Sequence, residues 1–304
     1  MQALLEPNDA LEPAGNYQYM VESLLGVFDL GLPIHIVRGR DSQENTEFSF
    51  LMKENTGLVP RLVHISDLDL VPDSSSATSY RLCCREEQVH QVFLSLFPDE
   101  FPFLSQDLLW HLARISVNDF RTILLVNDQR FLGILLQEVD DLVSKHKILT
   151  PEQGEILRAG IVPTILPGSH ELQQLLSSNN LGQQKHQFIL KAARQSRGEG
   201  HLIGDEMSVE KWKAVLREMQ DPAIRADTPS YVLQPYVQQP RFDIVATKGE
   251  TVHDCKIVGT YYTANGHFIG LGPWRSGNGK ICNVYMGGCV LLMSVLAETP
   301  KSSI

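Results

Sequence analysis

The chain lacks most of what a membrane, secreted or nucleic-acid-binding protein needs. No apolar run reaches the ~18 residues of a membrane-spanning helix. The run Cys289 to Ala297 is too short and reads as a buried strand or helix. Met1 to Gly15 carries Glu6, Asp9 and Glu12 and no apolar core, so it does not read as a secretory leader. Lys and Arg number 26 against 36 Asp and Glu, a net charge of −10. That balance argues against a nucleic-acid backbone as partner, because such binding needs clustered cations. Only five cysteines are present, an odd number, in no zinc-binding spacing. They read as reduced, partly buried thiols, and the expected setting is cytoplasmic. Neither of the two common nucleotide motifs occurs, the Gly-x-x-x-x-Gly-Lys-Ser/Thr loop or the Gly-x-Gly-x-x-Gly turn.

What is present is a globular composition, 43% hydrophobic and 20% charged, over 304 residues, enough for two cores. Residues 1–29 read as an irregular lead-in plus one amphipathic helix through Tyr19, Val21, Leu24, Leu25 and Phe28. Strand, helix and strand follow at Leu32–Val37, Phe48–Asn55 and Leu58–Ile65, so residues 30–120 are expected to form a small α/β domain. Thr122–Val126 reads as a strand and Phe131–Lys145 as an amphipathic helix. Thr150, Pro151 and Gln153 form a capping-box start, and Gly160 a matching stop. From 187 onward strands predominate: Tyr231–Val237, Phe242–Ala246, Lys256–Tyr262 and His267–Leu271, with a helix behind Ser208 carrying Trp212. Residues 121–304 are expected to form the second, larger region.

The stretch with chemical content is Phe188-Ile189-Leu190-Lys191, then Arg197-Gly198-Glu199-Gly200, then Tyr231 to Val237. Lys191 ends an apolar strand, where its point charge can meet a phosphate. Gly198 and Gly200 let backbone N–H groups approach a ligand, and Arg197 adds a second cation. Gln234 and the backbone near Tyr236 and Val237 can read the edge of a base. Arg275 lies in Gly272–Gly279, which reads as a second loop, and an arginine there can neutralise charge on a transferring phosphoryl group. Each feature alone is more often structural: a strand-end lysine is usually solvated, and Gly-x-Gly is usually a turn. Their order and spacing raise the functional reading.

Taken together, several motifs resemble the ATP-grasp fold. They are Phe188–Lys191, Gly198–Gly200, Gly204-Asp205, Trp212, Tyr231–Val237, Val258–Tyr262, Gly266, Gly270, Arg275 and Ile281–Asn283. More narrowly, the chain is similar to circularly permuted ATP-grasp proteins related to the glutathionylspermidine synthetase domain. The resemblance runs over roughly 120–304, with a looser match before it. It implies an α/β (α+β) ATP-grasp-like fold that binds ATP with Mg²⁺. Lys191, Arg197, Gly198 and Gly200 would lie at the phosphates, and Gln234, Tyr236 and Val237 at the adenine. Arg275 would act catalytically near the γ-phosphate, and Asn283 would be the metal ligand. The implied reaction joins a small-molecule carboxylate to an amine through an acyl phosphate.

The chain departs from this pattern at the metal. After Asp254 the only acidic residue is Glu298, and position 281 is Ile, where ordinary ATP-grasp enzymes carry Glu. Arg40-Asp41 and Glu44-Asn45 echo the carboxylate segments of permuted members at the wrong spacing. The expectation is a divergent or shortened member. The alternative is a catalytically inactive binding or scaffold protein on the same fold.

Overall fold

The computed structural model describes residues 11–12, 17–40, 46–97, 100–118, 120, 122–195, 198–225, 229–245, 250–264, 266–272, 274–282, 289–291 and 295–296. The chain forms two compact units, one from residues 1–119 with 240–304 and one from residues 120–239.

In the first unit, helix α1 (Tyr17–Leu25) precedes strand β1 (His35–Arg38), helix α2 (Thr46–Thr56) and strand β2 (Arg61–His64). The expected strand–helix–strand rhythm is therefore present. β1 lies centrally in a parallel sheet, between β2 and a strand at Val92–Ser95. A central parallel strand is covered on both faces. Accordingly His35, Ile36 and Val37 are all buried. Val21, Leu25, Phe28, Ile34 and Met52 form the core beside them. Phe48 stacks between Phe28 and Phe93. An antiparallel hairpin that the sequence reading did not resolve follows β2: β3 (Leu68–Pro72) pairs with β4 (Tyr80–Cys84), and the short strand Glu87–Gln88 adds to it. The parallel strand Val92–Ser95 is β5, and helix α3 (Gln106–Ile115) starts at Ser105, whose hydroxyl accepts the Leu108 N–H. Cys83 is buried and unpaired, as expected of a reduced core thiol.

The second unit departs from the expected strand near its start. Thr122–Val126 is a single π-helical turn, not a strand. Leu124, Leu125 and Val126 are exposed, so no sheet face needed them. A five-residue apolar run cannot be assigned to strand or helix by period alone. Helix α4 (Arg130–Ser144) follows, then α5 (Pro151–Gly160), which has the full expected capping box between Thr150 and Gln153. Helix α6 (His170–Leu176) leads to a small antiparallel sheet. Its central strand is β6 (Phe188–Ala192), flanked by β7 (Leu202–Ile203) and by β8 (Tyr231–Pro235). Helix α7 (Val209–Glu218) starts at the Ser208 cap. Trp212, Leu216, Leu190, Leu233 and Leu172 make the core of this unit. The Trp212 indole N–H donates to Leu181 O at 3.1 Å, so a large buried ring also has its polar atom satisfied.

The remainder of the first unit is strand-rich. β9 (Phe242–Val245), β10 (Thr251–Val258), β13 (Trp274–Gly277) and β14 (Cys289–Leu291) form one antiparallel sheet. β11 (Tyr261–Ala264) and β12 (His267–Leu271) form a hairpin beside it. The single run expected over Lys256–Tyr262 is thus divided between β10 and β11. The Tyr19 ring of α1 meets His267 edge-on, which joins the two chain segments of this unit. Among the described residues, no helix is long and apolar enough to cross a membrane.

Candidate nucleotide site

The site is built on the β7–β6–β8 sheet. Register places Lys191 opposite Val232 and Ile189 opposite Gln234. Side chains alternate along a strand. Phe188, Leu190, Tyr231 and Leu233 therefore face the Trp212 core, and Ile189, Lys191, Val232 and Gln234 share the other face. Lys191 is half-buried, and burial lowers its pKa below the ordinary lysine value. Among the described residues it has no hydrogen bond or ion pair, and it is felt only as a nearby charge at His201.

After β6 the chain turns back through two glycines in left-handed conformation, Gly198 at φ 78° and Gly200 at φ 69°. A side chain at either would be strained. At Gly200 it would also meet the Ala192 Cβ at 3.3 Å, so the turn lies against the strand that carries Lys191. Gly204 is required for a different reason: an added Cβ would fall 1.9 Å from Lys185 O. Lys185 Nζ in turn donates to the carbonyls of Gly204 and Asp205 at 3.2 and 3.1 Å. The Gly204-Asp205 motif is accounted for by this close packing.

Gln234 is fully buried, and its amide donates to Thr164 Oγ1 at 2.9 Å. Thr164 sits beside it because Ile165 bridges Leu233 through two backbone hydrogen bonds. The Tyr236 N–H donates to Gln187 O at 2.7 Å, and Val237 is exposed. The structure thus gathers Lys191, Gly198, Gly200, Gln234, Tyr236 and Val237 within one small sheet and its turns. Arg275 belongs to the other unit. It sits in strand β13, opposite Val258, rather than in the loop expected from Gly272–Gly279. Arg197 and Asn283 lie outside the described residues, as do Asp41, Glu44 and Asn45.

Three groups near Lys191 were missed in the sequence. Asp128 is buried and accepts from Arg130 Nε at 2.9 Å and from Arg194 Nε at 3.2 Å. Burial alone would raise its pKa, but the hydrogen bonds from Arg130 and Arg194 outweigh it and hold the carboxyl below the usual range. The Gln129 N–H donates to Ala193 O, which ties this cluster to the end of β6. His201 accepts the Ala192 N–H at Nδ1, 3.4 Å. Burial, then the charge of Lys191, lowers its pKa, so it is neutral at pH 7. Arg194, three residues after Lys191, was the one legible signal: a second cation at the same strand end.

An unpaired, half-buried ammonium beside a turn with two left-handed glycines fits an anionic phosphate ligand. Magnesium has less support. Among the described residues no three His, Cys, Asp or Glu side chains gather to hold a metal. No residue is therefore assigned to Mg²⁺ from geometry.

Residues 1–125 match the AnkG N-terminal domain family. The chain is 37% identical over 316 residues to the ATP-grasp enzyme ankG of Aspergillus thermomutatus. That match covers 96% of this chain and 65% of ankG, so the chain spans less than two thirds of its relative's length. A shorter match, 33% identical over 75 residues, is to globin-1 of Petromyzon marinus, covering 24% of this chain and 49% of the globin. Both units here are built on sheets, unlike the all-helical globin fold. Among solved structures, a glutathione synthetase-like effector (GSS30) from Globodera pallida in its apo form aligns with TM-score 0.46 and 11% identity, covering 86% of this chain and 57% of that one. Over 96% of its length the chain is thus similar to an ATP-grasp enzyme, ankG, and its first 125 residues match the AnkG N-terminal domain.

Proposed function

We propose that the chain binds ATP at the Lys191 face of its β7–β6–β8 sheet and serves an ATP-dependent carboxylate–amine ligation. The observation that carries this reading is Lys191 itself, a half-buried cation without an anionic partner among the described residues. Burying an unpaired charge is costly, and a phosphate is the partner that offsets the cost. The turn at Gly198 and Gly200 offers backbone N–H groups to the same anion. Tyr236 and Val237 follow β8 and would lie toward the base.

In the proposed reaction a substrate carboxylate attacks the γ-phosphorus, releasing ADP and forming an acyl phosphate. An amine then attacks that carbonyl, phosphate leaves, and an amide results. Both substrates would be small molecules. Arg275 would neutralise charge on the transferring group, and Mg²⁺ would accompany the ATP phosphates, with Asn283 beside it. These last roles rest on the family resemblance.

Equilibrium titration of Mg·ATP, read by heat stability, tests the reading. A saturable shift that Lys191→Ala removes is expected; a shift that survives the substitution would sink it. A second reading is nucleotide binding without ligation, favoured by the scarcity of carboxylates after Asp254. ADP release that depends on a carboxylate and an amine, sought across a panel of both, separates the two. Release supports ligation, and ATP binding with no release across the panel supports the binding protein.

A further inference from the structure

A cavity of about 220 Å³ lies in the first unit, away from any residue used above, between the β3–β4 hairpin turn and helix α3. Its wall includes Asp73, Ser76, Thr78, Arg81, His111 and Arg114. The chain as a whole is acidic, yet this cavity is lined by two guanidinium groups, one carboxylate and two histidines. Among the described residues neither arginine is in an ion pair. Arg81 reaches Asp73 only as a more distant charge, and Arg114 does the same to His111.

The wall is shaped in advance. Asp73 accepts from the Ser75 N–H at 2.9 Å and from its hydroxyl at 2.6 Å, which holds its carboxyl below the usual range. The turn closes by Asp73 N–H to Ser79 O at 2.9 Å and Ser79 N–H to Ser76 O at 3.0 Å. Ser79 has φ 63°, a conformation that costs a non-glycine residue and persists where surroundings impose it. Thr78 donates its single hydroxyl proton to Tyr80 O at 2.9 Å. It must therefore accept from Ser76 Oγ at 2.9 Å and from His111 Nδ1 at 3.2 Å. That arrangement fixes the tautomer of His111 and links the hairpin turn to α3. Burial, with the charge of Arg114, keeps His111 neutral.

We infer that this cavity is a binding site for the carboxylate end of a small organic molecule. Beside the neutral His111, two arginines and one aspartate leave a single positive charge. That matches one carboxylate better than a phosphate group carrying about −1.5 to −2 at pH 7. The planar guanidinium fork also suits a carboxylate. The site lies within one unit and does not depend on the nucleotide reading.

Calorimetric titration of the full chain with N-acetylglycine and with inorganic phosphate, at fixed ionic strength, tests it. N-acetylglycine binds saturably and more tightly than phosphate. Arg81→Gln and Arg114→Gln each weaken it about tenfold or more, the loss of one charge-assisted contact. Both residues are exposed, so the variants should fold, and thermal unfolding checks this. Arg85→Gln, on the same hairpin and outside the cavity wall, leaves binding unchanged. Absence of saturable N-acetylglycine binding, tighter binding of phosphate, or an equal loss in Arg85→Gln would each overturn the inference.

Discussion

The two faces of the β7–β6–β8 sheet, a few ångströms apart, are built for opposite purposes. One carries Leu190 and Leu233 into a closed apolar core around Trp212. The other holds Lys191, Gln234 and Thr164, a cation and a hydrogen-bonded amide. Period-two alternation in β6 and β8 sends neighbouring residues to opposite sides, so five-residue strands supply both. The difference teaches that stability and ligand affinity should be separable by face: the first should respond to unfolding experiments and the second to binding ones.

The largest expected effect is on the core face. Trp212→Ala removes a fully buried ring and leaves Leu181 O without its donor, so a loss of about 4 kcal/mol in urea unfolding is expected. A loss under ~1 kcal/mol would show that this face is not the keystone of the unit.

Next comes the cluster at the end of β6, at Asp128. Asp128→Ala leaves the Arg130 guanidinium buried without its carboxylate, and roughly 2–4 kcal/mol should be lost. Arg194 is largely exposed, so its share is small. Because the Asp128 pKa is lowered in the folded state, its contribution is full above the unfolded carboxylate value near 3.9 and is lost as pH falls through the folded one. Wild-type and Asp128→Asn unfolding curves should therefore converge in acid; parallel curves would remove the carboxylate from the account.

On the ligand face, Lys191→Met should leave unfolding stability undiminished, since a half-buried charge is being removed. Affinity for ATP should fall by about 1.5–3 kcal/mol, the value of a charge-assisted hydrogen bond. The pKa of Lys191 is depressed, so its cation is lost as pH rises through a value below that of free lysine. Wild-type ATP affinity should decline over that alkaline range, and the Lys191→Met profile should be flat. A large stability loss in this variant would erase the distinction between the faces.

The smallest effect expected is at Gln234→Leu. Thr164 keeps its bond to Val162 O and loses only the amide donor, so about 1 kcal/mol of stability should go. An ATP affinity that drops more than stability would place the Gln234 amide in contact with ligand.

Much of this was legible in the chain because its signals are local. Thr150, Pro151 and Gln153 state a helix start within four residues, and α5 begins there. Phe188 to Lys191 reads as a strand ended by a cation, and β6 follows. The β3–β4 hairpin was not read, because its strands mean little until they pair with each other. Thr122–Val126 misled for the same reason: an apolar run does not say whether a sheet is near to receive it. Asp128 carries no local signal of its role, because its partner Arg194 stands 66 positions away.

The sequence by itself determined the helix caps, the glycines that must adopt positive φ, the similarity to ankG and the lysine at the end of an apolar strand. These depend on a few neighbouring residues or on direct alignment. Tertiary structure alone decided which face of β6 meets the core, that Gln234 is tied to Thr164, that Asp128 neutralises Arg130, and that Arg81 and Arg114 share one cavity. Those facts depend on strand register and on contacts across distant sequence, where desolvation and charge act through space rather than along the chain.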